Sequence, residues 1–238
     1  MERYRPLDRA HSVPTQETPM INKDYILRIA EQFGRELAIL LHLRERNQFE
    51  EALIRIDNLY LNSLGLTIGF VNSISEETLL TLISTLGTLD SEKCLWVAML
   101  LKTEGDIYDD QDKNDEAYYR YVKSLYFYIE VVLHTTNLDG LDMVKEIENI
   151  LNILEEYELP LKTKNQLFRY YERMGHYDKA EDLLFEIAEA KADNFNMLIP
   201  GSTFYERLLS KSNADLAAGN FSREEAKEGL AEFQERYK

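Results

Sequence analysis

Cysteine, proline and glycine are all scarce in this chain. Its 238 residues hold 1 Cys, 5 Pro and 10 Gly. One thiol excludes an internal disulfide framework, a cysteine-built zinc cluster and a redox CxxC pair. Few breakers favour long uninterrupted elements. Positive charge is short as well: 27 Lys plus Arg against 43 Asp plus Glu leave a formal net charge of −16. Phosphate contacts need a basic footprint, so nucleic acid is not an expected partner. No apolar run approaches the roughly 18–20 residues that span a bilayer. The best are Leu37–Leu43, interrupted by His42, and Leu95–Leu101. The N-terminus carries Glu2, Arg3, Arg5, Asp8 and Arg9 and has no apolar core of a secretory signal. Together these absences predict a reduced, cytoplasmic protein without a membrane partner.

What is present is ample apolar residue content, 45% of the chain, enough for a packed core. Residues 1–19 stand apart. They contain Pro6, Pro14 and Pro19 and follow neither the helix nor the strand period. They read as a flexible extension ahead of a helical domain at 20–238, which opens on Met20. From there helical spacing dominates. Ile26, Ile29, Ala30, Phe33, Leu37, Leu40 and Leu41 mark a first helix that Asn22 can cap. Phe49, Ala52, Leu53, Ile56, Leu59 and Tyr60 mark a second. Residues 62–73 read as a connection, and Ser73 to Glu76 has capping-box spacing for a short helix to about Leu86. Further helices are predicted from Asp90 or Ser91 to about Asp110 and from Asp115 to about His134. Another carries Leu141, Val144, Ile147, Ile150, Leu151 and Leu154. The last four fall at about 161–174, 177–192, 202–212 and 222–237. The fold class is all-α, with about ten helices and short loops that make consecutive helices neighbours.

Three helix–turn–helix units superpose on one another. Phe168, Tyr171, Gly175, Tyr177, Ala180, Leu184 and Ile187 define the clearest. Gly105, Tyr108, Ala117, Tyr121 and Ser124 define the second, turning at 112–114. Leu40, Leu43, Asn47, Phe49, Ala52, Ile56 and Leu59 define the third. The small residue early in each second helix (Ala52, Ala117, Ala180) lets the first helix approach closely. Gly175 and Asn47 suit the left-handed conformation that ends a helix.

These spacings resemble the tetratricopeptide repeat, over about half of the chain. The likeness departs from that pattern in three ways. No unit ends in the usual proline, only Gly105 supplies glycine at the first-helix crossing, and the units are not contiguous. Ala52 and Ala117 are 65 positions apart, and Ala117 and Ala180 are 63. The stretch from Met20 to Lys238 is also similar to a functionally uncharacterised bacterial family of tetratricopeptide-like proteins, through Met20–Ile26 and Tyr170–Asp182. The resemblance implies a helical-hairpin array, an α-solenoid with a long concave face, and implies no reaction.

Chemical motifs are sparse. His11, His42, His134 and His176 never fall at i, i+3 or i+4, so no metal is expected. Cys94 sits beside Leu95 and Trp96 on an apolar face and reads as a buried thiol. Asp110, Asp112 and Asn114 match the first places of a calcium loop. The glycine place is Asp115 and the closing glutamate place is Tyr121, so a solvated acidic turn is expected. Gly65 and Gly69 lack the Lys-Ser/Thr of a phosphate loop, and no nucleophile elbow exists. No cofactor and no enzymatic activity are expected.

Two features remain. Tyr118, Tyr119, Tyr121, Tyr126, Phe127 and Tyr128 point all round one helix, which suits a helix sandwiched in a stack. Lys162, Asn165, Gln166, Arg169 and Arg173 form a basic stripe in a −16 chain. In the repeat resemblance this face looks into the concavity, where Arg and Asn donors suit an acidic peptide or a C-terminal carboxylate. The expected function is a non-catalytic protein- or peptide-binding scaffold, with Lys162, Asn165, Arg169, Arg173 and Tyr108 as binding residues. Its alternatives are a homo-oligomer that buries the aromatic helix against a twin, and a small-molecule sensor or enzyme with an unrecognised site.

Overall fold

A computed structural model describes residues 23–85, 87–135, 143–191 and 198–237. The expectations for the 1–19 extension, the Asn22 cap and the 137–140 loop lie outside these residues. Twelve helices occur among the described residues, against about ten expected. They are α1 (Lys23–Glu45), α2 (Phe49–Leu64), α3 (Ile68–Ser73), α4 (Glu76–Ile83), α5 (Ser91–Asp109) and α6 (Asn114–His134). Then come α7 (Met143–Ile153), α8 (Leu161–Met174), α9 (Tyr177–Lys191), α10 (Leu198–Leu209), α11 (Asn213–Ala218) and α12 (Arg223–Arg236). The two additions are short. α3 lies in the stretch expected to be a plain connection, and α11 follows α10.

Local chemistry explains both additions. Thr67 accepts from the Phe70 amide and starts α3. Ser212 and Asp215 form a reciprocal capping box on α11, and Ser222 with Glu225 does the same for α12. Ser75, rather than Ser73, caps α4, accepting from the Thr78 amide. Asp90 caps α5 through the Lys93 amide. Asn47 (φ 56°) and Gly175 (φ 79°) hold the left-handed conformation at the ends of α1 and α8. The one strand-like feature among the described residues is an isolated bridge between Thr85 and Thr88.

The helices pair as α1 with α2, α5 with α6, α8 with α9, and α10 with α12. Adjacent pairs touch through α2 on α5 and α6 on α8, while α4 and α7 flank α6. Ala52, Ala117 and Ala180, the expected close-approach residues, are all buried. One apolar cluster runs from Phe33 to Tyr170, and a second from Tyr177 to Phe233. Tyr171 packs against both. α6 lies at the centre of the larger cluster. Its residues from Tyr121 to Val132 are buried within the single chain, so its aromatic face is already covered. Tyr119, at 64% exposure, is the exception.

Candidate functional site

Beyond its first turn, α6 carries its ionisable side chains on one face. Arg120, Lys123, Glu130 and His134 follow at spacings of three, seven and four, so they align along the helix. The span from the first to the last is about 21 Å. Arg120, Lys123 and Glu130 each meet a partner from a different flanking element and form a polar seam through an apolar core, while the half-exposed His134 pairs back with Glu130 of its own helix.

At one end, the Arg120 Nε donates to Glu104 Oε1 at 2.9 Å. Glu104 is fully buried on α5 and also accepts from the Asn72 side-chain amide at 2.8 Å. Burial pushes its carboxyl above the ordinary range, and Arg120 and Asn72 oppose that shift. Arg120 also lies over the Tyr108 ring at 5.1 Å. One turn on, the Lys123 ammonium donates to the Val71 and Ile74 carbonyls at 2.7 and 2.5 Å. Those carbonyls end α3, where cations are favoured. Burial still holds the Lys123 ammonium below its usual range.

Next, Lys162 of α8 reaches Glu76 and Glu77 of α4, both at 2.6 Å, and lies over the Tyr126 ring at 4.9 Å. Its hydrogen bond lowers the Glu77 carboxyl. At the far end, Gln166 donates to Glu130 at 2.8 Å, and Arg173 donates to the Thr135 carbonyl at 2.6 Å. Asn165 bonds back to the Leu161 carbonyl of its own helix at 2.6 Å.

The basic stripe is therefore largely occupied within the chain. Lys162 and Arg173 fasten α8 to α4 and to the end of α6, and Asn165 is spent on its own helix. Arg169 alone is exposed with no hydrogen bond or ion pair among the described residues. Tyr108 sits at the opposite end of the seam, under Arg120 and Lys113, and is not gathered with the α8 residues.

Residues 20–238 match a family of unknown function, DUF6483, over most of the chain. The chain belongs to the DUF6483 family. Comparisons of this DUF6483 chain with curated proteins and with solved structures return no match.

Sequence reasoning missed Glu104, Arg120, Lys123, Glu130 and Asn72. The signal was present: Arg120, Lys123 and Glu130 share one face of an otherwise aromatic helix. Four buried polar atoms beside the seam make no hydrogen bond, namely Tyr60 Oη, Asn72 Oδ1, Thr135 Oγ1 and Gln166 Oε1. The Cys94 thiol is buried and pushed up to about 12, which leaves it unreactive. The acidic turn after α5 is answered from α1: Arg44 bonds Asp110 at 2.6 Å and Asp106 at 3.3 Å. Among the described residues no group of side chains is arranged to hold a metal, and no helix is long and apolar enough to cross a membrane.

Proposed function

We propose that this chain is a non-catalytic scaffold that binds a protein or peptide segment along α8, on a tetratricopeptide-like array of hairpins. The observation that carries the reading is the unspent hydrogen-bonding capacity around Arg169. Its guanidinium is exposed and unpaired among the described residues. Gln166, one turn earlier, and Thr135, held by Arg173 one turn later, each keep a buried oxygen without a bond. An exposed guanidinium with paired donors suits an acidic segment, whose carboxylate it takes.

The test is affinity capture from the source cell with wild type and Arg169→Glu. Loss of a captured partner at unchanged melting temperature is expected. Equal capture by both proteins would remove the α8 site, and capture of nothing by wild type would remove the scaffold reading.

A second reading, a homo-oligomer, draws on the first hairpin. Ile39 and Ile54 are 41% and 62% exposed, and they line an open groove of about 450 Å³ between α1 and α2. Light scattering decides it: a monomer at every concentration excludes an oligomer.

A further inference from the structure

Tyr118, Tyr119 and Tyr157 form an exposed aromatic cluster where the start of α6 meets the loop after α7. Tyr118 stacks on Tyr157 with centroids 5.2 Å apart, and meets Tyr119 edge-on at 5.3 Å. The Tyr118 hydroxyl donates to the Glu158 carbonyl at 3.0 Å, which ties the loop to α6. Tyr119 is 64% exposed and Tyr157 41%. Large exposed rings held rigidly are costly to leave in water and supply contact area at low entropic cost.

The other partly exposed tyrosines of the described chain are all treated alike. Tyr108 lies under Arg120 at 5.1 Å, Tyr171 under Lys179 at 5.3 Å and Tyr237 under Arg236 at 5.7 Å. Each ring face has its cation. Among the described residues none lies over Tyr118, Tyr119 or Tyr157. Lys164 lines the groove beside Tyr157 but is held by Glu158 and Glu186 at 2.6 and 3.0 Å, and the unpaired charge around the cluster is acidic. Asp115 and Glu116 precede it on α6, and Glu155 and Glu156 precede Tyr157, all four exposed and without an ion pair among the described residues. Exposed ring faces attract cations, and flanking carboxylates add to that attraction.

We propose that Tyr118, Tyr119 and Tyr157, with the carboxylates around them, form a docking surface for an arginine- or lysine-rich segment of a partner protein. Cationic side chains take the ring faces that the described residues leave without a cation. The carboxylates supply long-range steering and select against acidic segments. This surface uses no residue of α8, so it stands independently of the site around Arg169.

The probe is a fluorescein-labelled Arg-Gly repeat peptide, titrated with the full chain at physiological ionic strength and read by anisotropy. Wild type should bind it, and should not bind the matching Glu-Gly peptide. The double variant Tyr119→Ala/Tyr157→Ala keeps every charge and removes two rings, and should weaken binding at least about fivefold. Tyr119→Phe/Tyr157→Phe keeps the ring faces and should bind as wild type does. Tyr119→Ala alone, at the more exposed position, guards against loss of fold and should weaken binding in the same direction. Unchanged binding by the alanine variants would mean attraction by bulk charge and would overturn the proposal. So would failure of wild type to bind the arginine peptide, equal loss in the phenylalanine variants, or tighter binding of a neutral proline-rich peptide.

Discussion

The ring of Tyr121 closes directly over Gly105, where an added methyl group would stand 2.8 Å from the ring edge. The ring has little freedom to retreat, because its hydroxyl donates to Asp106 at 2.9 Å and its body is buried. Ser124 bonds the Ala98 carbonyl at 2.7 Å further along the same pair. The two contacts run in opposite senses, so α5 and α6 are antiparallel. Glycine at this crossing sets how closely they approach.

Gly105→Ala is therefore expected to destabilise the chain. Overpacking costs about 1–3 kcal/mol, against about 1 kcal/mol gained in helix propensity. Chemical denaturation should show a net loss. Combining it with Tyr121→Leu should recover part of that loss, a coupling that a double-mutant cycle reads directly.

Glu104 is the acceptor on which Arg120 and Asn72 converge. Glu104→Ala leaves a guanidinium and an amide without their partner in a dry site. The expected loss is about 3–5 kcal/mol by urea unfolding. A change below about 1 kcal/mol would mean that the α5 end of the seam is open to water.

Arg169 and Arg173 should separate, although they are neighbours on one stripe. Arg173→Ala frees the Thr135 carbonyl at the end of α6 and should cost about 1–2 kcal/mol. Arg169→Ala should stay within about 0.5 kcal/mol, as exposed substitutions do. Parallel thermal melts decide this.

The clamp from Lys162 to Glu76 and Glu77 should depend on pH. The Glu77 carboxyl is depressed in the folded chain from its ordinary value of 4.5, first through the hydrogen bond from Lys162. Its contribution is therefore fully present above pH 4.5 and lost as the pH falls through the folded value. Lys162→Met keeps the apolar stem and removes the charge. The melting temperatures of wild type and this variant should differ at neutral pH and converge in acid.

Much of the architecture was legible because it rests on local rules. α8 occupies the residues expected from its period, and Gly175 ends it in the left-handed conformation that glycine favours. α3 and α11 were not legible: six residues each give too short a period to read, and their caps carry the signal instead. The basic stripe on α8 was visible in the sequence, but its occupation was not. Lys162 finds its carboxylates 86 positions away, and Arg173 finds its carbonyl 38 positions away.

By itself the sequence determined that the chain is helical, where most helices begin and end, and which small residues mark the crossings. Periodicity, capping and backbone preference act over a few residues, so they can be read locally. Only the tertiary structure decided which charges are spent and which are free. The stripe on α8 became mostly a fastening, the charges of α6 became a buried seam, and Tyr118, Tyr119 and Tyr157 were left without a cation among the described residues. Electrostatic pairing acts through space between distant segments, and no spacing along the chain encodes it.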